Sequence, residues 1–313
     1  MINRRSFIKL GTYSAALITL PHLSFAKSKS VKLGTAIGSG KYKNKNGETK
    51  FILSLFDMDN LKKPSRFIPV DFFVHGITPN PVDPYKFVLF EKKGPGACEV
   101  DLRSGKVTRT IQTISERFFY GHGVYSKDAK VLYATEANLK DKSGVVSMRD
   151  VQTMKLIGNF PTYGHNPHDC MLINNGKTLA ITNGGGSKAS KQKPCVSYVD
   201  INTKKLIEKV EVQKDDINAG HLSISQTNDL VLVSAPREGL NTNLPGAISF
   251  RPNGKELTTT TEPQKIIKGM KSETLSLALI NSKNIVAATS PKGNMISFWN
   301  YKKANFISSI NID

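Results

Sequence analysis

Four histidines, His75, His122, His168 and His221, follow one another at spacings of 47, 46 and 53 residues, each opening a similar run of sequence. Imidazole is a borderline ligand for Zn, Cu and Fe, and it is also the side chain best suited to proton transfer near neutral pH. Four of them in register admit three uses: ligation of a metal ion or a metal-bearing group such as haem, general acid–base catalysis, or hydrogen bonding that pins neighbouring repeats together. The segment Gly164-His165-Asn166-Pro167-His168-Asp169-Cys170 adds His165 as a further ligand candidate. It also supplies Asp169, a carboxylate suited to fixing a ring tautomer. A carboxylate among the ligands would move the preference towards Fe or Mn. The chain has no CxxCH for covalent haem attachment, no HExxH and no nucleophile elbow.

The elements that must position these residues are short strands. From His122 the chain reads HGVYSKD, KVLYATE, GVVSMRD and KLIGNFP, and from His168 it reads HDCMLINN, KTLAITNGG, PCVSYVD and KLIEKVEV. The units opening at His75 and His221 repeat this order, and Ser276 takes the histidine's place in a fifth unit. Apolar-alternating runs separated by Gly, Asn, Asp, Ser and Lys clusters read as antiparallel strands. No window carries a sustained helical stripe; the nearest, Ile266–Ile280, is interrupted by Gly269. Four strands per repeat predict an all-β chain folded as a single β-propeller of four-stranded blades over residues 27–313. Val31–Asp71 supplies a partial unit lacking its first strand, so six blades are expected. A seventh requires further strands within Thr259–Thr274.

In a propeller, residues just before the innermost strand and just after the second strand share one rim of the central channel. Four imidazoles would therefore converge near the axis, joined by Glu91, Glu136, Asn183, Arg237 and Lys292. Glu136 is the carboxylate candidate, either as a metal ligand or as a catalytic group. Asn183, Arg237 and Lys292 are candidates for holding a cofactor or an anionic ligand. Asn183-Gly184-Gly185-Gly186 follows a strand with no helix after it, so it reads as a turn rather than a phosphate cradle.

The 313 residues carry 44 basic and 25 acidic side chains, a net charge of +19 that invites a nucleic-acid partner. The first 26 residues argue against it. Asn3-Arg4-Arg5-Ser6-Phe7-Ile8-Lys9 precedes an apolar stretch from Leu10 to Leu23 and the small-x-small ending Ser24-Phe25-Ala26. This reads as a twin-arginine export signal, Arg4 and Arg5 being the pair, and it directs the protein to the periplasm, where no nucleic acid waits. The remaining basic residues are scattered as singles and pairs beside turn residues and read as solvated turn lysines, with attraction to anionic lipid headgroups of a membrane or to an acidic partner as the alternative. No apolar run reaches a bilayer span of roughly 18–20 residues. Cys98, Cys170 and Cys195 allow one disulfide and one free thiol in an oxidising compartment, with the pairing open.

The twin-arginine leader, GHGVYSKDAKVLYATE, GHNPHDC followed by LAITNGGG, GHLSIS and the late ATSPKGN run in this order through nearly the whole chain. In this the chain resembles an uncharacterised bacterial family of Tat-exported propellers related to the YVTN and WD-repeat-like superfamily. In WD-repeat propellers a repeated Gly-His pair holds blades together, and Gly121-His122 and Gly220-His221 are the same two residues. The resemblance implies a periplasmic protein acting beside imelysin-like proteins and di-haem oxidoreductases in iron or other metal acquisition. The partners it implies are thus periplasmic metal-uptake or redox proteins, and the cofactor Fe, Cu or Zn. Lys92-Lys93-Gly94-Pro95-Gly96 stands where the family usually has Arg-Arg-Pro-Gly, so a role needing bidentate arginine there is not expected. The alternatives are a propeller enzyme of the lactonase or oxidoreductase type, and an interaction scaffold whose histidines are purely structural.

Overall fold

The computed structural model describes residues 32–312; the leader Met1–Ala26, with Arg4 and Arg5, lies outside the described residues. Six antiparallel sheets follow one another along the chain. The first blade has three strands, β1 (Thr35–Lys43), β2 (Thr49–Asp57) and β3 (Arg66–Val70). The second comprises β4 (Val74–Pro79), β5 (Lys86–Glu91), β6 (Gly96–Asp101) and β7 (Lys106–Gln112). The third comprises β8 (Arg117–Tyr125), β9 (Val131–Asn138), β10 (Ser143–Asp150) and β11 (Leu156–His165). The fourth comprises β12 (Pro167–Ile173), β13 (Thr178–Asn183), β14 (Cys195–Asp200) and β15 (Leu206–Glu211). The fifth comprises β16 (Leu222–Ile224), β17 (Leu230–Ser234), β18 (Ala247–Arg251) and β19 (Thr258–Thr259), and the sixth β20 (Leu277–Ile280), β21 (Ile285–Ser290), β22 (Met295–Asn300) and β23 (Asn305–Asn311). Within each blade every strand pairs with its neighbour in sequence, giving a six-bladed β-propeller.

The repeat is written into the turns as well as the strands. Between the third and fourth strands of four blades an Asp or Asn side chain accepts backbone N–H bonds from two or three residues on. Asp101 Oδ1 takes the amide of Arg103, Asp150 Oδ1 that of Thr153, Asp200 Oδ1 that of Thr203 and Asn300 Oδ1 that of Lys303, all at 2.7–3.0 Å. The chain then passes through a left-handed residue four positions after the Asp or Asn: Gly105, Met154, Lys204 or Ala304, with φ between 52° and 67°. A short polar side chain that closes its own turn makes this geometry local.

Packing between blades supplies the core. Each of five clusters joins residues of two adjacent blades, for example Phe90 with Phe119 and Leu132, and Val231 and Ile248 with Val286 and Trp299. The sixth blade gathers Ala287, Ile296 and Phe298 in a buried cluster of its own. Thr259–Thr274 holds no seventh blade. It contains a one-residue continuation of β19 and the short helix α1 (Gln264–Gly269), whose Ile266 and Ile267 pack on the cluster shared by the last two blades. All three cysteines are buried free thiols in the structure, Cys98 on β6, Cys170 on β12 and Cys195 on β14.

Candidate metal centre

His75, His122 and His168 lie on the innermost strands β4, β8 and β12, and His221 immediately precedes β16. Consecutive blades thus offer one imidazole each to the same point on the channel, and Ser276 holds the equivalent place before β20. On each of the three strands the pairing register slips at the histidine: between Val74 and Gly76, between Phe119 and Gly123, and between Pro167 and Cys170. A bulge bends the strand and re-aims one side chain, here the imidazole.

The strands approach closely because glycine lets them. A Cβ on Gly76 would stand 2.0 Å from the carbonyl oxygen of Gly121, and one on Gly121 would stand 2.5 Å from His75 Cδ2. Gly121 also has φ +124°, which a side chain rarely tolerates. A recurring threonine of the second strand ties down the histidine position. Thr135 Oγ1 lies 3.0 Å from the His122 carbonyl and 3.1 Å from that of His168. Thr182 Oγ1 accepts the amide of Asp169 and Thr289 Oγ1 that of Ser276.

The four Nε2 atoms converge. His221 Nε2 lies 3.0 Å from His122 Nε2 and 3.2 Å from His168 Nε2, which is 3.4 Å from His75 Nε2. One ligand atom from each ring falls within 4.8 Å of all the others. Nitrogens bound roughly 2.0–2.1 Å from one ion stand roughly 3.3 Å apart in a tetrahedron, and roughly 2.9 and 4.1 Å apart in a square plane. The three short spacings, 3.0, 3.2 and 3.4 Å, lie in that range, so the four rings could hold a metal ion.

The far sides of the rings decide which nitrogen is free. His221 Nδ1 is 2.5 Å from the Leu275 carbonyl, which can only accept, so the proton is assigned to Nδ1 and Nε2 keeps its lone pair. Asp169 Oδ1 lies 3.7 Å from His122 Nδ1 and favours a proton there too. The Asp169 carboxylate is itself held by the amides of Cys170 and Leu222, at 2.8 and 3.1 Å. Both assignments direct lone pairs at each other across the 3.0 Å contact between His122 and His221, an arrangement that a cation between them relieves. Burial favours the neutral form of three of the rings: it pushes His122 down to about 4, against the opposing pull of Asp169, depresses His75 further and pushes His168 well below the ordinary value. The Lys92 ammonium acts on all three in the same sense.

Other candidate residues do not join the four-histidine group. Glu136 is buried between strands, its carboxylate 3.1 Å from Arg149 and 3.8 Å from Arg117, and it takes no part in the four-histidine group. Asn183 is buried against Thr162 and Ser197, at 2.6 and 3.0 Å. The buried guanidinium of Arg237 donates to the carbonyls of Gly185, Ser187 and Gln192 and pairs with Asp215, so it closes the loop after β13. Lys292 is exposed in the turn after β21. His165 ends β11 opposite Ser143, with its Nδ1 buried and without a hydrogen-bond partner among the described residues. Asp169 alone of these stands against the histidines.

A cavity of about 270 Å³ opens on His168 and His221 and is walled by Lys92, Lys93, Tyr120, Asn166, Glu238 and Glu273, with Gly184, Gly186 and Gly220 leaving room. The lysine pair was visible in the sequence as a departure from the family pattern, whereas the Leu275 carbonyl, Tyr120 and Asn166 gave no signal. The repeated second-strand threonine in YATE, AITN and AATS was a signal that the histidine pattern overshadowed.

The propeller is similar to a solved structure of Kuenenia stuttgartiensis hydrazine synthase, with a TM-score of 0.66 at 10% identity, covering 84% of this chain and 83% of that one. At that identity the likeness shows the fold alone. No curated protein matches the sequence. Residues 68–313 match the family described as "Protein of unknown function (DUF1513)", and so the chain belongs to that family.

Proposed function

We propose that His75, His122, His168 and His221 bind one first-row transition-metal ion, and that the protein handles metal in the periplasm after export by the twin-arginine route. The observation that carries the metal is the convergence of four Nε2 atoms, two of them with lone pairs turned towards each other by partners on the far sides of their rings. Four neutral imidazoles with no thiolate and no carboxylate favour Cu(II) and Zn(II) by donor type, since the preference for Fe or Mn rested on Glu136. Iron is the metal suggested by the family resemblance, and the leader motif supports export. Metal-uptake or redox proteins are the partners that go with that setting.

The test is elemental analysis of protein purified from its exported form, with a visible spectrum, alongside the double variant His122→Ala/His168→Ala. One equivalent of metal in the native protein and loss of it in the variant are expected. Stoichiometric metal retained by the variant would refute the site.

A further inference from the structure

His168 and His221 form part of the wall of the 270 Å³ cavity; His168 is buried, and His75, His122 and His221 are half-buried. Before an ion arrives, the charges in that wall balance: Lys92 and Lys93 against Glu238 and Glu273. The rings bring no charge to offset a divalent ion, and Asp169 is the one carboxylate within 4.0 Å of a ring nitrogen among the described residues. Loading the centre therefore leaves net positive charge at a partly enclosed site, next to two ammonium groups. An anion entering from the His168 and His221 side would reach ion and lysines together.

Two further details narrow the ligand. Lys93 is fixed rather than floating: its amide donates to the Phe119 carbonyl at 2.9 Å, and its ammonium lies over the Tyr120 ring, 5.8 Å from the centroid. Asn166, on the wall of the cavity, has a buried Oδ1 with no hydrogen-bond partner among the described residues. An orphaned acceptor beside a cationic site asks for a ligand that carries a donor close to its negative charge. The volume suits a molecule of few heavy atoms.

We propose that the cavity binds a small hydroxycarboxylate together with the metal, its carboxylate shared between the ion and Lys92 and Lys93 and its hydroxyl donating to Asn166. The proposal rests on the metal reading above. It makes the anion a co-ligand: each of the two, metal and anion, strengthens the binding of the other by the same factor.

The experiment titrates the exported protein with Co(II), whose visible absorption weakens when a fifth ligand joins a tetrahedral set, in buffer without coordinating anions and again with glycolate or acetate. Glycolate is expected to tighten Co(II) binding at least tenfold and to weaken the band, and acetate to do less. An anion that merely complexes cobalt in solution lowers the apparent affinity, the opposite sign. Lys92→Gln/Lys93→Gln should lose the anion effect while binding Co(II) alone as well as or better than the native chain, because two repelling charges are gone. Asn166→Ala should make glycolate and acetate equivalent. Cobalt bound with affinity and spectrum indifferent to both anions overturns the co-ligand proposal and leaves the metal centre standing. No cobalt bound under any condition overturns both.

Discussion

Acidifying the metal-free protein from pH 7.5 to 5 removes stability in proportion to its buried neutral imidazoles. Their folded-state pKa values lie below the ordinary 6.5, so the unfolded chain takes up protons that the folded chain refuses. Stability from this source is complete above pH 6.5 and drains away as the pH falls towards the folded value. For His122, pushed down to about 4 by burial, the loss at pH 5 is about 2 kcal/mol. His75 is depressed further and loses about the same at that pH, because the loss there depends on the unfolded value once the folded one is well below 5. These two rings come to about 4 kcal/mol, or roughly 8–16 °C in melting temperature for a domain of this size, and His168, which burial also pushes well down, adds in the same direction. Asp101 is held at about 2 by its hydrogen bonds with Arg103, so its contribution is lost only below the usual Asp range. The assay is thermal unfolding at half-unit steps of pH for the native chain and for His122→Gln, whose loss at pH 5 should be smaller by about 2 kcal/mol. A melting temperature that is flat from pH 7.5 to 5, or the same dependence in both proteins, would refute the claim that the rings are held neutral by burial.

Two further outcomes follow from the packing. Gly121→Ala should cost about 2–4 kcal/mol in urea unfolding and weaken Co(II) binding at least tenfold, since the new methyl meets the His75 ring; Gly254→Ala, also at positive φ but with nothing within 4 Å, should leave Co(II) binding unchanged. Glu136→Gln breaks a buried pair with Arg149 and should lower stability by about 3–5 kcal/mol while keeping full metal content; a stable variant that has lost its metal would return Glu136 to the centre.

The period, the order of four strands and the turn chemistry could all be read locally, because each depends on residues within one repeat. Asp101, Asp150, Asp200 and Asn300 close their own turns with their own side chains, and a sequence shows that directly. The in-register histidines were equally legible, since a propeller carries equivalent positions of successive blades to one axis. The sequence could not tell which way the returning second strands aim their polar residues. Glu136 and Asn183 stand at matching places in the repeat, yet both are drawn between strands, one by Arg149 and the other by Thr162 and Ser197. A strand alternates its faces with every residue, so position in the repeat leaves orientation open until register is set.

What the sequence determined by itself was therefore the all-β propeller, its partial first unit and four histidines at equivalent positions. The tertiary structure alone decided that Thr259–Thr274 adds no seventh blade and that the bulges at Val74–Gly76, Phe119–Gly123 and Pro167–Cys170 turn the imidazoles inwards. It also decided that glycine contacts bring the inner strands close enough for the Nε2 atoms to meet. The physical reason is that each of these depends on pairing between strands or packing between blades, quantities that no single repeat contains.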